Sequence, residues 1–188
     1  MITSTEDTAV GSYDSVISVS DLKEHLRVTH SDEDTLIGAY RDAAITFIEA
    51  YCNTRLIGGT VKFRASGFSA QIELPIGPVT RVTSIKYRTA KAGTLLTLDA
   101  REYSVERHRQ PAVIRFVSVP STAPEEVAPV EITADVGHAT TPKGLVHAVR
   151  LLVGHFYEHR QAAEAASIRE VPMGLYSLIN PYRVVSFM

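Results

Sequence analysis

The stretch from Pro142 to Gln161 carries the clearest helical pattern in this chain and constrains its fold most. Its apolar residues recur at spacings of three and four, which places them on one side of a helix: Leu145, Val146, Val149, Leu152, Val153, Phe156 and Tyr157. Pro142 suits the first helical turn, because its missing N–H would have no partner there. So wide an apolar stripe must be covered by another element.

The partner predicted for this stripe lies far earlier in the sequence. Ser31 to Asp34 matches a capping box that opens a helix, and Asn53 suits the left-handed cap that closes one. The apolar positions between them again have helical period: Leu36, Ile37, Tyr40, Ala44, Phe47, Ile48 and Tyr51. A shorter helix precedes it, with Ser20 as the predicted N-cap. We therefore predict a small helical bundle built from both chain ends, residues 18–55 and 140–166.

The middle of the chain, residues 56–139, has a different pattern. Apolar and polar residues alternate there in about seven short runs separated by glycine and proline, which is typical of antiparallel strands. A proline-rich loop from Pro120 to Pro129 is expected to cross an exposed edge. The predicted fold class is therefore α+β, with a β-rich domain inserted into the helical bundle.

The two ends of the chain differ in composition. Residues 1–17 are rich in Ser, Thr, Asp and Gly, and we predict a flexible arm. Residues 167–188 form a tail that is unusually apolar after Pro172. Such a tail either docks on a partner or folds back onto its own subunit.

Composition excludes several classes of protein. With 188 residues and 45% hydrophobic content the chain can bury one core and a small second one. No apolar run is long enough to span a bilayer and no signal-peptide pattern is present, so we expect synthesis in the bacterial cytoplasm and no membrane partner. A net charge of −2 argues against a protein that grips nucleic acid through phosphate contacts.

Catalytic candidates are few. His155, Glu158 and His159 satisfy the H-x-x-E-H pattern of inverted zinc proteases, and the four-residue spacing puts both histidines on one helix face. No third ligand is marked, so the alternative is a helix with two partly exposed histidines. Cys52 could form a thiol–imidazole pair with His25, His30 or His147. A lone cysteine at the end of an apolar helix is more often a small core residue, and we favour this interpretation of Cys52.

The densest positive cluster lies in the strand-rich region and consists of Arg101, Arg107, His108, Arg109 and Arg115. Because Glu102 and Glu106 interleave these residues, a solvated strand face is favoured over a nucleic-acid site.

Several segments are informative as an ordered set. They are Val19-Ser-Asp-Leu-Lys-Glu-His-Leu-Arg-Val28, Ser31-Asp-Glu-Asp-Thr-Leu-Ile37, Ala43-Ala44 with Ile48-Glu-Ala-Tyr-Cys-Asn-Thr-Arg55, Leu151-Leu-Val-Gly-His-Phe-Tyr-Glu-His-Arg160 and Leu178-Ile-Asn-Pro-Tyr-Arg183. In this order they resemble the head–tail connector (adaptor) family of long-tailed phages and gene transfer agents, in its longer branch. The middle of the chain resembles that family in its strand-rich character and in Glu73-Leu-Pro-Ile-Gly-Pro-Val79. The family commonly has asparagine where His159 stands here.

The resemblance implies a non-enzymatic protein without cofactor or metal, in a ring of about twelve copies. The expected partners are other copies of the chain, the portal protein, and a stopper or tail-completion protein on the tail side, with double-stranded DNA passing through the lumen without specific binding. The apolar tail is then expected to dock on the portal through Leu175, Tyr176, Leu178, Ile179, Tyr182, Arg183, Val184 and Phe187. Two alternatives remain open: a zinc hydrolase using the histidine helix, or a different component such as the stopper itself.

Overall fold

The computed structural model describes residues 1–123, 125–159 and 173–185. Two compact units share the chain. The strand unit comprises Met1–Val10, Gly58–Gly137 and Val184–Met188, and the helical unit comprises Gly11–Ile57 and His138–Arg183. The chain therefore leaves the helical unit at 57/58 and re-enters it at 137/138, close to the sequence-based boundaries at 55/56 and 139/140.

The helical unit contains α1 (Val19–Leu26), α2 (Asp34–Cys52), α3 (Lys143–Glu158) and α4 (Met173–Ile179), with 3₁₀ turns at Tyr13–Ser15 and Asn180–Tyr182. The apolar stripes of α2 and α3 face each other, as the periodicity predicts. Their fully buried members are Ile37, Ala44, Ile45, Ile48, Cys52, Leu145, Ala148, Val149, Leu152 and Val153. These side chains form the core of the unit.

The helix starts differ from the sequence-based predictions. Ser18, rather than Ser20, caps α1: its hydroxyl accepts the Asp21 N–H at 3.1 Å, and the Asp21 carboxylate accepts the Ser18 N–H at 3.3 Å. The capping box predicted at Ser31 to Asp34 does not form, because the Asp34 carboxylate pairs with Lys23 at 2.6 Å instead. Asn53 does end α2, in the left-handed conformation with φ of 50°.

The strand unit contains eight strands among the described residues: β1 (Ile2–Val10), β2 (Gly59–Ala65), β3 (Gln71–Leu74), β4 (Val79–Tyr87), β5 (Leu96–Thr97), β6 (Tyr103–Glu106), β7 (Ala112–Phe116) and β8 (Val130–Val136). They form a five-stranded sheet of order β1-β2-β8-β4-β5 and a three-stranded sheet of order β3-β7-β6, both antiparallel. Alternate residues are buried between them, including Phe63, Leu74, Ile85, Ile114 and Ile132. The α+β class predicted from the sequence is confirmed.

The prediction of a flexible arm at residues 1–17 differs from the structure. Residues 2–10 form β1, which pairs with β2, while Val16 and Ile17 are buried in the helical unit. An edge strand is held by backbone hydrogen bonds, so its side chains can be polar without loss of pairing. Two ion pairs add to this: Glu6 with Arg64 at 3.2 Å, and Asp14 with the buried Arg41.

Candidate assembly surfaces

The segment after residue 172 is partly a core element. The side chains of Leu175 and Ile179 are fully buried in the helical unit, and the Cys52 thiol lies 3.5 Å from the Ile179 carbonyl oxygen. Val184 belongs to the strand unit and is buried, and a Cβ at Gly77 would meet its Cγ2 at 3.4 Å. These three residues are therefore corrected from docking residues to interior ones, because their own chain already covers them.

Four predicted docking residues keep accessible surface. Tyr176, Leu178 and Tyr182 are half-buried and Arg183 is exposed. Phe187 lies outside the described residues. The half-buried Tyr182 ring lies against α3, since a Cβ at Gly144 would meet its hydroxyl at 3.2 Å.

Two exposed or half-buried residues of this segment, Tyr176 and Arg183, lie beside Phe47 and Tyr51 of α2. We call these four residues the aromatic patch. The Tyr51 ring lies 5.2 Å from Tyr176 and 6.4 Å from Phe47, centroid to centroid, and the Arg183 guanidinium carbon lies 5.0 Å from the Tyr51 centroid. Such guanidinium–ring contacts are attractive, and Tyr and Arg dominate interface hot spots. The patch is thus suited to contact with another protein.

From the sequence, Phe47 and Tyr51 are expected only as members of the buried stripe of α2. Both are half-buried in the structure, at the border of that stripe. Their spacing of four, together with their aromatic character at the end of a helix, is the signal that would have separated them from the aliphatic core positions.

Two residues of the positive cluster in the strand unit form ion pairs, one of them with the interleaved Glu106. Arg115 pairs with Glu106 at 2.7 Å and Arg109 lies 3.7 Å from Glu73. Arg107 instead donates to the Thr80 carbonyl oxygen at 2.7 Å. It lines a pocket of about 280 Å³ together with Arg81, Val82 and Val105.

The histidines of α3 do not form a metal site with the residues described. The His155 and His159 rings are 4.5 Å apart, and the His159 Nδ1 lies 2.9 Å from the His155 carbonyl oxygen. Within the described ranges, no group of three or more His, Cys, Asp or Glu side chains is placed to hold an ion. The histidine pair thus lacks a third ligand there.

Cys52 has none of the features of an activated nucleophile. It is fully buried, and burial raises the pKa of its thiol to about 11. A catalytic thiol needs a lowered pKa, so the structure favours the interpretation of Cys52 as a core residue.

Among the described helices none has both the length and the apolar character needed to cross a bilayer.

Solved structures share this fold. A chain of the "Virion of native gene transfer agent (GTA) particle" matches with a TM-score of 0.80 at 24% identity, covering 99% of this chain and 98% of that one. A chain of the "Neck of empty GTA particle computed with C6 symmetry" matches with a TM-score of 0.76 at 24% identity, covering 99% and 98%. A chain of the "Neck of native GTA particle computed with C12 symmetry" matches with a TM-score of 0.72 at 25% identity, covering 100% and 97%. The fold is thus one found in components of virus-like particles.

The family follows from the sequence. No curated protein matches. The model of the family described as "Head completion protein" matches residues 15–170, and the chain belongs to that family. This membership confirms the resemblance to head–tail connector proteins of phages and gene transfer agents.

Proposed function

We propose that this chain is a structural adaptor of the head–tail junction of a tailed phage or gene transfer agent. Copies of it form a ring beneath the portal, join the DNA-filled capsid to the tail, and leave a conduit for double-stranded DNA. The single observation that carries the proposal is the family match over residues 15–170. Membership of a family of virion components also favours a structural role over a catalytic one.

Two physical features support the ring and the conduit. A chain that presents unlike patches to its two neighbours closes into a ring when the rotation between copies allows it. The C12 symmetry of one matching neck structure fits this kind of assembly, with about twelve copies around the axis. The net charge of −2 suits a channel through which DNA slides, because the acidic residues outnumber the basic ones and so oppose a tight grip on the phosphates.

The aromatic patch is the proposed portal-facing contact, together with Leu178 and Tyr182. Each large side chain that becomes buried there contributes on the order of 1 kcal/mol. Repetition of the contact around a ring multiplies the strength of the joint by avidity. Arg183 is placed to pair with an acidic group of the portal while still contacting the Tyr51 ring.

Electron microscopy of particles made without this protein tests the role. The expected result is DNA-filled heads that carry a portal but no tail. Tailed, DNA-filled particles would overturn the proposal. In complete particles, density for the chain directly against the portal supports an adaptor, whereas density one ring further toward the tail would assign it as the stopper.

The docking surface is tested by the combined variant Tyr176→Ala and Arg183→Glu, with Ser177→Ala as the matched control on the exposed side of the same helix. We expect the combined variant to remain folded, since neither side chain is fully buried, but to lose portal binding in a pull-down. The control should bind normally. Normal binding by the combined variant would contradict the assignment of this patch.

A further inference from the structure

We propose that neighbouring copies are joined head to tail through the strand unit: Glu125 and Val127 of one copy enter the pocket lined by Arg81, Val82, Val105 and Arg107 of the next copy. This inference rests on the proposed function, which requires a ring.

The pocket is lined by two arginines and two valines. It lies between the start of β4 and the end of β6, with exposed Arg81 and Arg107 beside half-buried Val82 and Val105. Arg107 is oriented by its hydrogen bond to the Thr80 carbonyl oxygen. Among the residues that the structure describes, no carboxylate is within ion-pair distance of either arginine. The guanidinium groups of Arg81 and Arg107 are therefore able to pair with an anionic ligand.

The loop that precedes β8 has the opposite character. Glu125 is exposed and Val127 is 82% exposed, whereas Glu126 between them points back into its own subunit. The Glu126 carboxylate accepts hydrogen bonds from Arg88 at 3.1 Å and from the Ala92 N–H at 2.8 Å. These bonds direct Glu126 toward its own subunit, while the carboxylate of Glu125 and the apolar side chain of Val127 stay exposed on either side of it.

The two surfaces lie at opposite ends of one strand. The pocket is at the start of β4, at Arg81, and the loop is attached at Arg88, directly after the last residue of β4. Seven residues of extended strand separate these points by about 20 Å. The loop therefore cannot reach the pocket of its own subunit, and the pairing can be completed only between copies.

The chemistry favours a second copy over DNA. A phosphodiester would bind the arginines but would make no apolar contact with Val82 and Val105. Glu125 can pair with the arginines while Val127 packs against the valines. Guanidinium groups bind carboxylates through paired, charge-assisted hydrogen bonds. A contact between two unlike patches of the same chain is the kind that generates rings.

Cysteine cross-linking in assembled particles tests this pairing. A chain carrying Arg81→Cys and Glu125→Cys should, on mild oxidation, give a ladder of disulfide-linked multimers under denaturing conditions. A link within one copy is excluded, because disulfides need Cα atoms within about 7 Å. Each single variant and the combination of Glu125→Cys with Arg101→Cys, an exposed arginine outside the pocket, should give no ladder. Cys52 is buried and its thiol stays protonated at neutral pH, so it does not interfere.

Charge reversal gives an independent measurement. Arg81→Glu alone and Glu125→Arg alone should each lower the yield of tailed particles by about tenfold or more, because like charges then face each other across the contact. Combining the two should restore most of the yield, whereas Arg101→Glu should have no effect.

The outcomes separate the two proposals. Particles that contain the double-cysteine chain without a ladder, or single reversals that leave the yield unchanged, overturn the pairing and leave the adaptor role standing. Absence of the chain from wild-type particles overturns the adaptor role and the pairing with it.

Discussion

The hydroxyl of Tyr51 donates a hydrogen bond to the Oδ1 of Asn180 across 3.0 Å, although the two residues are 129 positions apart. The last turn of α2 is thereby joined to the segment that follows α4. Cys52, the next residue along the chain, contacts the Ile179 carbonyl in the same place. The end of α2 and the residues Ile179 and Asn180 thus pack together, and the stability of the helical unit depends on both.

Truncation after Glu170 is expected to destabilise the protein sharply, since it removes Leu175 and Ile179 from the core. Ile179→Ala alone should lower the free energy of unfolding by about 2–5 kcal/mol. For a chain of this size each kcal/mol corresponds to roughly 2–4 °C in melting temperature. Leu178→Ala, at a half-buried neighbour, is the matched control and should cost less. Equal melting temperatures for wild type and Ile179→Ala would contradict the burial described for this segment.

A shortened protein, in which a short glycine linker connects residues 11–57 to residues 138–183, should fold as an independent helical unit. The linker can be short because the His138 N–H donates to the Arg55 carbonyl oxygen at 3.3 Å and the Thr141 hydroxyl donates to the Leu56 carbonyl oxygen at 2.8 Å. Far-UV circular dichroism should show helix, and melting should be cooperative. A disordered product would mean that the two units depend on each other for folding.

Glu49 is expected to stabilise the turn that leaves α2. Its buried carboxylate accepts the Leu56 N–H at 2.8 Å. Glu49→Ala leaves that buried donor without this acceptor and should cost about 1–3 kcal/mol in urea unfolding. Glu49→Gln keeps an acceptor oxygen and should cost less. If Gln costs as much as Ala, the charge of Glu49 matters rather than its hydrogen bond.

Cys52 should make the stability of the protein fall at high pH. Its folded pKa is about 11 and its ordinary value is 9.0, so between these values the unfolded chain has lost the thiol proton while the folded chain retains it. Stability is therefore fully present below pH 9.0 and decreases as the pH rises through 11. Lysine and tyrosine also titrate there, so the measurement is the difference from Cys52→Ala, whose unfolding free energy should lack this component. Parallel pH profiles for the two proteins would contradict it.

Substitution of His155 and His159 by asparagine or glutamine should leave particle assembly unchanged, because the described residues offer these histidines no third ligand. Metal analysis of purified protein accompanies the assembly assay. A stoichiometric zinc ion that is lost from the variant together with assembly would favour the hydrolase alternative.

The sequence predicts those helices and strands whose buried residues are apolar and recur at a regular spacing. The stripes of α2 and α3 and the alternating strands are visible because most of their buried positions carry apolar residues; the buried Arg41 and Glu49 of α2 are the exceptions. Strand β1 was not predictable in this way, since Thr3 to Asp7 are exposed and the strand is held by its pairing with β2. The apolar tail was recognised, but composition cannot tell whether Leu175 and Ile179 are covered by a partner or by their own subunit. The sequence also does not predict the pocket at Arg81, because β4 and β6 come together only in the folded chain.

The pairing of β1 with β2 has a consequence for the order of folding. Ile2 lies opposite Ala65 and Val10 lies opposite Gly59, so all of α1 and α2 is synthesised between the two halves of this ladder. The ribosome releases β1 first, and the strand must wait unpaired while the helices emerge. Ladders that close over so long an intervening stretch form slowly, since the chain must first lose the entropy of the loop. We expect β1 to be among the last elements to join its sheet, which would give a newly made subunit a period in which the β2 edge is open to other strands.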